Sequence, residues 1–168
     1  SQHKSMLTEL LELDVSRDVI QYVIDCTIDA VDFALGRAST SSRGRTPCRS
    51  PAKIDFINFV TRIVTRAEVT ISVLLGALVY ISRVRPYLRI HLEDWAYERV
   101  LLGALVCASK YLNDSSPKNA HWAIYTGVFG MRDVGLVERE FLTVLDFDMA
   151  ISEADLVALH HQLFAATV

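Results

Sequence analysis

The sequence predicts an all-α fold, and three observations carry that expectation. Apolar residues recur at helical spacing in seven segments, with no convincing strand alternation between them. Helix punctuation bounds the segments: Ser16 and Ser152 as N-caps, Gly36 and Gly127 as stops, Pro86 and Pro117 as breaks. Finally, Leu101-Leu-Gly-Ala-Leu-Val-Cys-Ala-Ser109 has apolar or small side chains all round a helix, which implies burial on every side. That segment is the centre of a helical bundle. It runs directly into Lys110, so a charge sits where the helix leaves the core.

Taken in order, residues 1–15 read as an N-terminal extension with no assigned role, and Ser1–Met6 as an expression remnant. A helix over 16–35 starts at Ser16, with Asp18 in the first turn where the helix dipole favours an acid. Its apolar set includes Val19, Val23, Ile24, Thr27, Val31 and Phe33. From Gly36 to Ser50 come four arginines, four serines and Pro47 without periodicity, and 36–53 reads as a basic, disordered linker. Ile54–Arg66 puts Phe56, Ile57, Val60, Ile63 and Val64 on one helical face. Val69–Val84 is strongly apolar and ends at Pro86, which cannot continue a helix. The central helix is expected over Leu92–Leu112, with Glu93 and Asp94 near its start. Ala120–Thr126 is short. Asp133–Leu145 follows, with Glu138 in its opening turns, where the dipole alone explains an acid. Glu153–Ala166 closes the chain, in a final segment over 151–168.

Composition excludes several functions. At 168 residues the chain is one domain's worth. A net charge of −3 and a pI near 5.9 give no electrostatic case for nucleic acid. The longest apolar run, Val69–Ile81, is too short to span a bilayer, and no signal peptide is visible. Cys26, Cys48 and Cys107 lack metal-ligand spacing and suit a reducing, intracellular setting. Cys26 and Cys107 read as small core residues. His160 and His161 are adjacent, so on a helix they point about 100° apart and do not chelate one metal easily. His3, His91 and His121 have no partners at ligand spacing. There is no Gly-rich phosphate loop, and Gly103 reads as a packing glycine. No catalytic set, metal, cofactor or small-molecule ligand is expected. A 51% hydrophobic content suits a thick core or a partner-facing apolar surface.

Four stretches point to a family. The exit Ala108-Ser-Lys110-Tyr111 is similar to the end of the third helix of a cyclin box. Tyr80-Ile-Ser-Arg-Val84 is similar to the end of the second. Leu136-Val-Glu-Arg-Glu-Phe-Leu-Thr-Val-Leu-Asp-Phe-Asp-Met149 resembles the fifth. Lys110-Tyr-Leu-Asn-Asp-Ser-Ser-Pro-Lys-Asn-Ala-His-Trp122 resembles the signature of fungal Pcl-type cyclins, whose animal relative is cyclin Y.

The resemblance implies a five-helix cyclin box over 54–150 with flanking N- and C-terminal helices. It implies a regulatory subunit, not an enzyme, that binds and activates a cyclin-dependent kinase of the phosphate-signalling or neuronal type and helps select substrates. Such subunits act in cell-cycle entry, morphogenesis or nutrient signalling, in nucleus, cytoplasm or polarised growth sites. The implied kinase contacts are Lys110, donating to backbone carbonyls, and Glu138, accepting backbone N–H groups. Tyr111, Leu142, Phe147 and Met149 would supply apolar contacts around them. From the residues alone, Lys110 is equally a helix-terminal lysine, and the four apolar residues are equally core. Asn113, Asp114, Asn119 and Trp122 are the group markers. Asp55-Phe-Ile-Asn-Phe-Val-Thr-Arg62 lacks the Met-Arg-Ala-Ile-Leu docking motif of mitotic cyclins, and Ser82 stands where the second-helix signature has aspartate. No room remains for a second cyclin box. The rival readings are a TFIIB-like cyclin-fold transcription factor and a non-activating helical adaptor.

Thr46-Pro-Cys-Arg49 and Ser50-Pro-Ala-Lys53 match the Ser/Thr-Pro-x-basic consensus of cyclin-dependent kinases, which makes Thr46 and Ser50 candidate phosphorylation sites. The alternative is a basic solvated loop whose prolines are punctuation.

Overall fold

The computed structural model describes residues 2–37 and 50–166, and all regular structure among them is helical. The order is α1 (Gln2–Leu11), α2 (Arg17–Ala34), α3 (Pro51–Arg66), α4 (Ile71–Val84), a 3-10 turn (Arg85–Tyr87), α5 (Ala96–Leu112), α6 (Asn119–Thr126), α7 (Met131–Val144) and α8 (Glu153–Ala166).

Helix α5 is the axis of the bundle. From Ala96 to Ser109 every residue but Arg99 is buried, as an all-round apolar helix requires. Helices α4 and α7 pack along it, and α2 and α3 close the remaining sides. Each fully buried aliphatic side chain contributes roughly 1.5–3 kcal/mol. Gly103 sets the approach of α7: a Cβ there would lie 2.7 Å from the Phe141 Cβ. The packing role expected of this glycine therefore has a named neighbour.

Capping fixes several boundaries. Ser16, Ser50 and Thr70 each accept the backbone N–H three residues on. Ser50 with Pro51 in the first turn starts α3 three residues earlier than Ile54, so Pro51–Lys53 are helical, not linker. Thr70 moves the start of α4 to Ile71. Helix α5 starts at Ala96, not Leu92, because Trp95 takes a left-handed backbone (φ 61°). That conformation is unusual for a bulky residue, and the Trp95 ring packs edge-on to Phe129 at 6.1 Å. Glu93 and Asp94 therefore precede the helix.

Residues 1–15 do more than extend the chain. Leu10 of α1 is 1% exposed, Glu9 Oε2 lies 2.9 Å from His160 Nε2, and α1 packs on α8. Phe33, expected on the apolar face of α2, is instead exposed, with the Arg85 guanidinium 3.9 Å from its ring centroid. Cys107 is buried, and burial pushes its thiol up to about 12. Cys26 is only partly buried, and burial again pushes it up to about 11. Cys48 lies outside the described residues.

One polar cluster is centred on a buried carboxylate and opens to solvent at Arg37. Asp32 of α2, 8% exposed, accepts the Tyr97 hydroxyl at 2.6 Å. Lys53 Nζ lies 3.5 Å from its other oxygen, and Arg37 Nη1 is 3.4 Å away. The cluster ties α2, α3 and α5 together.

Candidate functional site: an exposed face of α5 and α7

Where α5 leaves the core, Lys110 Nζ meets Glu138 of α7 at 2.7 and 2.9 Å and Asn119 Oδ1 of α6 at 3.0 Å. An ammonium has three donors, and here each has one acceptor. The lysine is therefore held in one position at the surface, its side chain 40% exposed against 15% for Glu138. Glu138 sits mid-helix, eighth of fourteen residues in α7, so the expected dipole explanation fails. Its position is set by Lys110. Asn119, expected only as a group marker, is the third member of the cluster.

Apolar side chains flank these charges. Tyr111 is 51% exposed and Phe147 67%, while Leu142 and Met149 pack half-buried on the core. Neither aromatic is core. The chain after α7 presents Phe147 by strained backbone: Asp146 and Phe147 both have φ 56°. Each left-handed non-glycine residue costs roughly 1–2 kcal/mol, so the surroundings must hold them. They do. The Phe147 N–H donates to Leu142 O at 3.0 Å. The Tyr80 hydroxyl donates to Met149 O at 2.8 Å. Arg83 donates to Asp148 O and, at 3.0 Å, to Ala150 O, and pairs with Asp155 at 3.1 Å.

Tyr80 and Arg83 are the functional residues that sequence reasoning passed over. Both lie in the Tyr80–Val84 motif, three apart on one helix face, and that spacing was the available signal. Ser82 between them is exposed.

The other predicted residues divide. Trp122 is 1% exposed, and its buried indole N–H has no partner among the described residues. Asn113 caps α5 through its backbone, and Asp114 is exposed. Neither joins the charged cluster. Glu140 is exposed on another flank of α7, as expected of a solvated acid. Thr46 lies outside the described residues. Ser50 is spent on the α3 cap. No group of three or more metal-ligating side chains occurs among the described residues, and no described helix is long and apolar enough to cross a membrane.

The cyclin family profile matches residues 26–149, from within α2 to the turn that carries Met149. The chain belongs to the cyclin family. Its similarity is to the Pcl-type members. It is 31% identical over 165 residues to PHO85 cyclin-1 of Saccharomyces cerevisiae, covering 93% of this chain and 56% of that protein. It is 33% identical over 146 residues to PHO85 cyclin-2 of the same yeast, covering 85% and 45%. Cyclin-U2-2 of Arabidopsis thaliana is 28% identical over 142 residues, covering 80% and 60%. The chain thus spans about half the length of the yeast relatives.

Proposed function

We propose that this chain is the regulatory subunit of a cyclin-dependent kinase of the PHO85 kind and contributes no chemistry itself. The observation that carries this reading is the Lys110–Glu138–Asn119 cluster, with Lys110 reaching the surface and Tyr111 and Phe147 exposed at the ends of the same two helices, on a chain of the cyclin family. Charged hydrogen-bonding groups beside aromatic anchors suit an interface hot spot.

The kinase's regulatory helix swings between an outward position and an inward one that completes its Lys–Glu pair. A surface that fits only the inward position shifts that equilibrium by its differential affinity. Glu138 keeps lone pairs beyond those used by Lys110, so it can accept kinase N–H groups without losing the lysine. Lys110 reaches a kinase carbonyl by releasing Asn119. Leu142 and Met149 give the apolar floor between the charged cluster and Phe147. Substrate choice and work in the nucleus, cytoplasm or growth sites belong to the same proposal.

The test is phosphorylation of a protein substrate by purified PHO85-type kinase, with and without the chain. Stimulation that disappears in Lys110→Ala supports the reading, binding without stimulation makes the chain an adaptor, and salt-sensitive DNA binding instead favours the transcription-factor class.

The same kinase is proposed to modify Thr46 and Ser50. A phosphate on Ser50 would sit at the N-terminus of α3, where the dipole and free N–H groups favour an anion. Mass spectrometry after incubation with active kinase reads it directly, and unmodified Thr46 and Ser50 would refute it.

A further inference from the structure

A cavity of about 520 Å³ lies on the far flank of α7, between that helix, α5 and the connector that follows the 3-10 turn. Ligand clefts have volumes of roughly 300–1,000 Å³, so it can hold side chains of a bound segment. Its floor is Val100, Val137 and Phe141, all buried. Its rim carries Tyr87 and Leu92, which are 69% and 51% exposed. Exposed large apolar residues beside an apolar floor mark a surface built for contact.

The charge of this groove runs against that of the chain. The chain has 20 acidic and 17 basic residues, but the groove sets Arg89, Arg99 and Arg139 against Glu140 alone. None of the three arginines has an ion pair or side-chain hydrogen bond among the described residues, and the Arg99 Nε is buried without a partner. Elsewhere Arg37, Arg83 and Arg85 each hold a carboxylate and Arg62 a carbonyl, while Arg17, Arg66 and Arg132 also lack an ion pair among the described residues, so what sets the groove apart is that its three arginines line one apolar cleft. The backbone N–H groups of Arg89, Ile90, His91 and Leu92 are likewise unpaired among the described residues. An extended peptide beside such a stretch gains main-chain hydrogen bonds and sets alternate side chains into the groove.

We propose that this groove docks a short extended segment of a partner protein in which apolar residues are flanked by aspartate or glutamate. The apolar residues fill the floor, and the carboxylates take the unpaired guanidinium groups, for which bidentate pairing is geometrically suited. Glu140 lies two residues from Glu138, about 200° round the helix, so that side of the groove faces away from the Lys110 cluster, while the Arg139 guanidinium lies over Gly135 beside the Asn119 amide and borders both surfaces. Both surfaces can be occupied together, and the groove stands whether or not the chain activates a kinase.

The experiment is selection of a random displayed peptide library on the full chain, followed by fluorescence anisotropy of the enriched consensus peptide. The expected consensus combines Leu, Ile or Phe with Asp or Glu. Its affinity should fall at least about tenfold in Arg89→Glu/Arg139→Glu, and fall with added salt. Lys110→Ala on the opposite flank should bind it unchanged. Arg89 and Arg139 are exposed, so an unaltered melting temperature confirms that the double variant is folded. No enrichment, a basic or purely apolar consensus, a consensus that binds only when phosphorylated, or affinity indifferent to the double reversal would each overturn the proposal.

Discussion

Asp32 and Glu138 each gather basic and polar partners from other helices, and their carboxylates are nearly equally buried, 12% and 15% exposed, but their neighbours differ. Asp32 takes Tyr97 and Lys53 within the bundle and Arg37 at its edge. Glu138 takes Lys110 at the surface, beside Asn119 and two exposed aromatics. The difference lies in the cations: Lys110 is 40% exposed, so water or a partner can reach it, whereas Lys53 is 23% exposed and the Tyr97 hydroxyl beside it is buried. The same chemistry therefore serves the fold in one place and is free to serve recognition in the other.

The largest effect should come from breaking the inner cluster. Asp32→Ala strands the Tyr97 hydroxyl and Lys53, and should lower unfolding free energy by about 3 kcal/mol in urea titration. Breaking the outer cluster should cost less stability, about 1 kcal/mol, because Lys110 is 40% exposed and water can take its place beside Glu138. Lys110→Ala should instead weaken kinase binding by about 1.5–3 kcal/mol, roughly tenfold to a hundredfold, because one charge-assisted bond is lost. Equal stability losses at the two sites would erase the distinction.

Two further changes sharpen it through pH. Asp155 accepts the Ser152 N–H at 2.8 Å and Arg83, and these hold its carboxyl below the usual range. Its stabilisation is therefore present above the unfolded pKa and lost as pH falls through the folded one. Asp155→Asn should cost about 1 kcal/mol near neutrality, the scale of a lost helix cap, and little in acid. Smallest is Glu98, 3% exposed, whose carboxyl is raised first by burial and then by Asp55. A raised carboxyl favours folding below its unfolded pKa and loses that contribution as pH rises. Glu98→Gln should therefore stabilise by roughly 0.5–1 kcal/mol at neutral pH and vanish as a difference in acid, read by melting temperature.

The two clusters were not equally legible in the sequence. Lys110 and Glu138 stood out through the cyclin resemblance, and Asn119 with them as a marker. Asp32 did not, since periodicity counts apolar residues and its partners lie up to 65 residues away. Helix α1 was missed for a similar reason: its buried anchor Leu10 belongs to a helix that packs on α8, at the other end of the chain. The left-handed residues Trp95, Asp146 and Phe147 were invisible because tertiary contacts, not local propensity, hold them. Caps were read well where Ser16 and Ser152 preceded a periodic run, and poorly where Ser50 stood beside a basic, proline-containing stretch.

The central claim is that the outer cluster recognises a partner and contributes little to the fold. Its most direct test is kinase affinity by isothermal titration calorimetry for the wild-type chain and Lys110→Ala, alongside their melting temperatures. Affinity lost at least tenfold with a melting temperature that falls far less than in Asp32→Ala is the expected result. Wild-type affinity in Lys110→Ala would contradict it.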